Sequence, residues 1–314
     1  MKVLVTGSGG FIAYHLCQRL IAEGHEVAGI DNMNAYYDTK LKEARLHNLL
    51  DTGKFHFDKC DICDTNLLKK KFDAFHPDLV INLAAQAGVR HSIDHPQDYT
   101  DSNLVGFANI LERVRRQDCP LIYASSSSVY GDAKYLPVTE WGDTCSPISY
   151  YGATKKANEV MAESYSNMYG IAMAGLRFFT VYAEWGRPDM ALFKFTKAIL
   201  EGEEIELYGM GEMSRSFTYV DDIVDGILLV MNNLKGHEIY NIGGSERVTL
   251  TWFVNAIQDA LGIKAKIKLV GMQDGDVRDT WASNDKLAEL GYEPKVGIAE
   301  GVRKFIEWYK GYYG

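Results

Sequence analysis

Tyr151 and Lys155 stand four residues apart in the segment Tyr-Gly-Ala-Thr-Lys, and on a helix that spacing puts both side chains on one face. A phenol beside an ammonium is a general acid–base pair. The positive charge lowers the phenol pKa, so the tyrosine exchanges a proton near neutral pH, while the lysine steadies a ribose. Upstream, four hydroxyls in a row, Ser125-Ser126-Ser127-Ser128, close a β-rich run. The third chemical feature opens the chain: Gly7-Ser8-Gly9-Gly10-Phe11-Ile12-Ala13, a G-x-x-G-x-x-A pattern. The first glycine permits a tight turn. The second lets backbone approach a pyrophosphate at a helix N-terminus, where free amides and the helix dipole favour anions. The small third residue lets the helix pack close to its strand. Asp31 lies 24 residues beyond Gly7, near the spacing of a ribose-binding acid. A carboxylate there accepts both ribose hydroxyls and repels a 2′-phosphate. Its neighbours Asn32 and Met33 supply no cation, so NAD is expected rather than NADP.

These groups work only if a frame brings them together, and the pattern of the chain predicts one. Apolar runs at Lys2–Thr6, 26–30, 79–83, 121–124 and Met173–Phe178, with a further strand opening at 55–57, alternate with helical periodicity over 11–23, 66–75, 103–116 and 151–169. Strand and helix in alternation predict a parallel sheet covered on both faces, with ligands at the carboxyl ends of its strands. The glycine loop, Asp31 and the serine run all fall at such ends. After residue 178 the pattern loosens. Residues 181–192 read as a loop and 193–200 as a short helix. Residues 217–231 read as a return to the sheet, and 249–261 and 298–309 as helices of a smaller lobe. The fold class expected is α/β, a Rossmann-type doubly wound parallel sheet with a smaller α/β C-terminal substrate lobe. Residues 1–178 plus about 217–243 form the first part, and 179–216 plus about 244–314 the second.

Composition narrows the partners. The chain has 314 residues, 33 basic and 42 acidic, for a net charge of −9. That balance argues against a nucleic-acid binder, which needs a basic patch. No apolar run approaches the length of a membrane span, and the apolar stretch at the start is too short for a signal peptide. Five cysteines, an odd number, read as reduced thiols, so a cytoplasmic location is expected. Cys60 and Cys63 form a C-x-x-C without a second ligand pair, and the histidines are read as offering neither an H-x-x-x-H nor an H-E-x-x-H pattern. No metal is expected. Asp61 and Ile62, between the two thiols, are placed to flank an adenine.

With the stretches VTGSGGFIAYHL, GIDNMNAYYD, INLAAQAGVRHSI, YASSSSVYG, YYGATKKANE, RFFTVYAEWGRPDMALFKF and FTYVDDIVDGI, nearly the whole chain resembles the extended short-chain dehydrogenase/reductase family. Within it the chain is most similar to the nucleotide-sugar 4-epimerases, in particular those acting on UDP-glucuronate. The resemblance implies a tightly held NAD, a UDP-sugar substrate, a 4-keto intermediate and a homodimer pairing the helices at 103–116 and 151–169. It also implies roles for residues. Gly7, Gly10, Phe11, Ile12, Asp31, Asn32, Asp61, Ile62, Leu83, Ala84, Ala85, Gln86 and Asn103, with Tyr151 and Lys155, match cofactor positions. Ser126, Tyr151 and Lys155 match catalytic ones. Arg90, Ser126, Ser127, Thr180, Arg187, Arg215 and Arg278 match substrate positions, with Arg215 at a diphosphate and Arg187 and Thr180 at a uronate carboxylate. The chain departs from the family at Ala13 and Ala183, where glycine is usual, at Glu184, where proline is usual, and at Ser216, where aspartate is usual. A UDP-glucuronate decarboxylase or a 4-epimerase of another UDP-sugar on the same scaffold, and a catalytically silent nucleotide-sugar binder, stay open. A 4,6-dehydratase is disfavoured, because Ser127 and Ser128 stand where an Asp-Glu pair would follow the strand-end hydroxyl.

Overall fold

The computed structural model describes residues 1–272 and 276–314. In chain order its strands are β1 (Lys2–Thr6), β2 (Glu26–Asp31), β3 (Phe55–Lys59), β4 (Leu79–Asn82), β5 (Leu121–Ser126), β6 (Met173–Phe178), β7 (Thr180–Tyr182), β8 (Glu204–Leu207), β9 (Ser214–Tyr219), β10 (His237–Ile242), β11 (Arg247–Thr249) and β12 (Lys266–Leu269). Seven of them form one parallel sheet in the order β3-β2-β1-β4-β5-β6-β10. Parallel neighbours need crossover helices, which cover both faces and make each strand apolar throughout. β1 shows the result. Val3 and Val5 join Ile81, Ile122, Ala174 and Leu176 in the core on one face, and Leu4 joins Val80, Leu121, Tyr123 and Met173 on the other. Burying such aliphatic side chains contributes about 1.5–3 kcal/mol each. The order reverses between β1 and β4, so the loops leaving these strands diverge and a cleft opens over their carboxyl ends.

The expected α/β architecture is present, with differences in detail. Residues 181–192 are not a plain loop. β7 pairs with β9, and β9 with β11, in a separate three-stranded sheet, so 217–219 stands outside the main sheet. The return expected there begins with the helix Val220–Met231, which packs on the helix Phe11–Ala22, and is completed by β10. The helix expected at 103–116 starts as a π-helical turn, Thr100–Gly106, before the α-helix Phe107–Gln117. A helix at Thr39–Leu50 had no clear periodic signal, because two of its buried positions are Lys42 and Arg45. The C-terminal aromatics pack as lobe core: Phe305, Trp308, Tyr309 and Tyr313 surround Phe193, and Trp308 and Tyr312 meet Trp185.

Under the cleft, a buried polar network fixes β5, β6 and the helix Tyr150–Tyr169. Arg177 on β6 donates Nε and Nη2 to the two carboxylate oxygens of Glu159, each at 2.8 Å. Ser125 donates to Glu159 at 2.7 Å, and Arg177 Nη1 donates to the Tyr130 hydroxyl at 2.8 Å. Removing one member of such a pair strands a charge in low dielectric. Arg177→Met is therefore expected to lower the unfolding free energy by about 3–5 kcal/mol, read as a fall in the urea midpoint with an unchanged slope.

Candidate active site

The glycine loop is shaped as its residue types require. Gly7 has φ +72° and lies against the start of the loop after β4, where a Cβ would meet the Ala84 nitrogen at 2.8 Å. The Gly7 amide donates to the Ile30 carbonyl at 2.7 Å and the Gly10 amide to the Gly7 carbonyl at 2.8 Å. The helix Phe11–Ala22 then begins with no side-chain cap and no acid in its first turn. Its free amides face a cleft of about 1010 Å³ lined by Gly7, Gly10, Phe11, Ile12 and Ala13. Asp31, at the end of β2, is anchored by the Gly9 amide at 3.1 Å and the Met33 amide at 2.7 Å. Each carboxylate oxygen keeps a lone pair for a ligand. Asn32 donates to Asp61 at 2.9 Å, and the Cys63 amide donates to the same carboxylate at 2.8 Å. Burial raises the Asp61 pKa, but these bonds outweigh it and the net shift is downward. Asn32, Asp61, Ile62, Leu83, Ala84, Ala85 and Gln86 all line the cleft.

The proton-handling groups meet at its centre. Ser126, Ser127, Tyr151 and Lys155 line it together. Burial raises the Tyr151 pKa, and the Ser126 hydroxyl and the Arg187 charge offset only part of that rise. Lys155 Nζ donates to the Ala124 carbonyl at 2.9 Å, and burial lowers its pKa to about 8. Ser126 and Arg187 are the groups that draw the phenol down. The serine run divides its labour: Ser125 points to Glu159, and the Ser126 Oγ accepts from the Ser128 amide at 3.1 Å.

At the far end of the cleft, Thr180, Arg187, Arg215 and Arg90 also line the wall. Arg187 is held by a fork of two hydrogen bonds to Asp189, and Tyr36 donates to the same carboxylate at 3.3 Å. Arg215 donates to the carbonyls of Ser214, Val277 and Arg278 at 2.7–2.9 Å, and among the described residues no carboxylate pairs with it. Arg90 pairs with Asp276 at 2.9 Å at the mouth. Two expected site residues do not reach the cleft. Arg278 is 65% exposed and points to Glu212 and Asp279, since it is its main-chain carbonyl that turns inward to Arg215. Asn103 is 2% exposed and fully used as a brace. Its side chain bonds the Gln86 amide and carbonyl and the Thr154 hydroxyl.

Sequence reasoning missed several lining residues. Lys42 reaches the cleft from the unanticipated helix and donates to Asn34. It supplies the cation near Asp31 that Asn32 and Met33 do not. Arg45, fully buried on the same helix, donates to the Gly9 carbonyl at 2.9 Å, the Tyr37 hydroxyl at 2.7 Å, and the Trp185 and Gly186 carbonyls. The signal that would have found both is a pair of cations at i and i+3 among leucines. His91 and His95, four apart, form a further cluster with Asp98 at the rim. The two thiols of the C-x-x-C are held by the chain around them. Both thiols donate to carbonyls, and burial raises their pKa values to about 11 for Cys60 and about 12 for Cys63. The departures at Ala183, Glu184 and Ser216 fall outside the cleft wall. Ser216 is buried against the Gly244 carbonyl, and Glu184 accepts from Tyr219 at 2.6 Å.

Residues 3–243 match the model of the NAD dependent epimerase/dehydratase family. The chain belongs to that family. It is 46% identical to Protein CapI of Staphylococcus aureus, covering 100% of this chain and 99% of that protein. It is 42% identical to a probable UDP-glucuronate 4-epimerase of Rhizobium meliloti, over 98% of this chain and 97% of the relative. In three dimensions it resembles the UDP-glucuronic acid 4-epimerase of Bacillus cereus in complex with UDP-glucuronic acid and NAD. That match has a TM-score of 0.94 and 33% identity, over 99% of both chains. The family's nucleotide fits the residues present here. The uncapped helix start offers amides to a diphosphate, Asp31 offers acceptors to a ribose, and Gln86, a lining residue, has a buried Nε2 with no hydrogen-bond partner among the described residues.

Burial of Lys155 has a stability cost. Its pKa falls from 10.5 to about 8, which corresponds to about 3 kcal/mol. The cost is present in full below pH 8, where both folded and unfolded chains carry the charge. It fades as pH rises from 8 toward 10.5, where only the unfolded chain still holds the proton. Lys155→Met is expected to raise the unfolding free energy at pH 7, with the gain shrinking across that window; pH-resolved urea titrations of both proteins measure it.

Proposed function

We propose that this chain interconverts UDP-glucuronate and UDP-galacturonate by NAD-dependent epimerisation at C4. The observation that carries the reading is the meeting of the Tyr151 and Ser126 hydroxyls with the Arg187 guanidinium inside one cleft whose other end is built for a dinucleotide. The relatives that act on UDP-glucuronate support the sugar.

Bound NAD supplies a two-electron acceptor and then a donor at the sugar C4. Gly7, Gly10, Phe11 and Ile12 bind its diphosphate, and Asp31 and Asn32 a ribose. Asp61 and Ile62 flank the adenine, and residues 83–86 form the floor. Lys155 holds the second ribose and keeps a positive charge below Tyr151. Tyr151 takes the proton of the C4 hydroxyl, with Ser126 donating to the same oxygen, and returns it after the keto sugar has turned over. Ser127 and Thr180 orient the sugar, and Arg215 and Arg90 meet the substrate diphosphate. The keto sugar carries its carboxylate β to the ketone, so it loses CO₂ unless that group is held out of the cleaving geometry. Arg187, fixed by Asp189 and Tyr36, grips it with charge-assisted hydrogen bonds.

The same reading divides the chain into a dinucleotide part, 1–178 plus about 217–243, and a sugar part, 179–216 plus about 244–314. It includes a homodimer through the exposed Val105, Val160 and Met168. Five free thiols fit a reducing, cytoplasmic setting. Among the described residues no helix is long and apolar enough to cross a membrane.

NMR of the purified protein with UDP-glucuronate, without added NAD, tests the reaction. UDP-galacturonate is the expected product. A UDP-pentose would move the function to decarboxylation, and no change even with NAD added would overturn it. Tyr151→Phe is expected to lose at least about a hundredfold in turnover with the nucleotide still bound. Arg187→Lys is expected to raise the KM for UDP-glucuronate far more than for a neutral UDP-hexose, and equal effects would remove the carboxylate role.

A further inference from the structure

We propose that His91, His95 and Asp98 form a binding site for a divalent transition-metal ion, of the Zn²⁺, Ni²⁺ or Cu²⁺ class, at the rim of the cleft. The three side chains come from one short stretch. His91 opens a single helical turn, His91–Asp94. His95 breaks it with φ −129° and ψ 57°, and Pro96 starts the next turn, Pro96–Tyr99. The break folds the His95 ring back over His91, with centroids 4.3 Å apart and planes at 27°. The Asp98 carboxylate lies 3.3 Å from His91 Nε2. One donor atom from each residue falls within 4.8 Å of the others.

Metal–ligand bonds of about 2.0–2.2 Å in a tetrahedron place donors roughly 3.4 Å apart. The remaining contraction is about an ångström, and His95 and Asp98 are exposed and free to make it. Two imidazoles and one carboxylate select a borderline transition metal over Mg²⁺ or Ca²⁺, which prefer oxygen alone. Three protein ligands leave a position for water, and exposure makes loading reversible. The sequence expectation of no metal took the H-x-x-x-H spacing to be absent, and that was a misreading: His91 and His95 stand four apart, with Asp98 three residues further on.

The site bears on the cleft without belonging to its chemistry. The His91 ring faces Tyr36 at 4.9 Å and Tyr99 at 6.0 Å, and His91 lines the mouth. Ser92 accepts the Tyr151 amide at 3.3 Å, and Tyr99 meets the Tyr151 ring edge-on at 6.0 Å. An ion joining His91 to His95 and Asp98 therefore staples the rim segment that buttresses Tyr151, and slows entry and exit through the mouth. The metal acts as a reversible inhibitor.

The test uses the full chain without an affinity tag, freed of metal by chelation, and titrates Zn²⁺ by calorimetry. The wild type is compared with His95→Gln and Asp98→Asn, each at an exposed position. Cys145→Ser serves as the control for the exposed thiol, a competing ligand. One ion per chain is expected, with affinity at least about tenfold weaker in each site variant and unchanged in Cys145→Ser. Zn²⁺ is expected to slow turnover of the wild type, EDTA to restore it, and His95→Gln to match the metal-free wild type with or without Zn²⁺. Absence of saturable binding overturns the site, as does binding equal in all variants or lost only in Cys145→Ser. Binding without inhibition keeps the site and overturns its action on the mouth. The calorimetric result stands apart from the sugar reaction, so failure of the epimerase reading leaves it intact.

Discussion

A buried guanidinium with no carboxylate partner among the described residues, that of Arg45, is the constraint on which the cleft depends. The seven-stranded sheet sets where each loop begins, but a loop's course beyond the strand end is not fixed by strand pairing. Arg45 binds oxygens from three such loops: Gly9 in the glycine turn, Tyr37 after β2, and Trp185 and Gly186 beyond β7. Its charge is met by dipoles alone, so the loops cannot move apart without exposing a cation to an apolar interior. The Trp185 backbone, at φ +60°, is held in the same clasp, with Trp308 and Tyr312 packed on its ring. The loops at residues 9, 37 and 185–186 are thus one mechanical unit, although Trp185 stands 140 residues beyond Arg45 in the chain.

The electrostatics of the centre follow from burial. Desolvation raises the Tyr151 phenol and lowers the Lys155 ammonium, so each is pushed toward its neutral form. Arg187 and Ser126 pull the phenol back only in part. Burial thus dominates at the phenol, and its net shift is upward. Arg187 is itself held in place. The pairing with Asp189 and Tyr36 fixes its plane, and this separates an arginine that orients from one that merely attracts.

Much of this was legible in the sequence where one residue type answers one local demand. Gly7 is needed for a positive φ against Ala84, Asp31 for a strand-end carboxylate, and the apolar runs for strands buried on both faces. What was not legible came from long-range contact. Lys42 and Arg45 broke the periodicity of their own helix because their partners lie near residues 9, 34 and 185. Asn103 and Arg278 carry side-chain types suited to ligand binding, yet one is spent bracing Gln86 and the other turns to solvent while its carbonyl serves Arg215. The strand at 180–182 was hidden because its pairing partner stands more than thirty residues on.

The strand order also sets the order in which a growing chain can be completed. β1 lies inside the sheet between β2 and β4 and is made first, but β4 comes only with residue 79, and the edge strand β10 only with residue 237. β3, β2, β1, β4 and β5 can pair once residue 126 has been made. β6 would stay an open edge through some sixty further residues, during which its unpaired amides and carbonyls are a template for the wrong strand. The buried pair of Arg177 on that strand with Glu159 on the preceding helix spans only 18 residues of chain, so it is available to fasten β6 to that helix before β10 has been made.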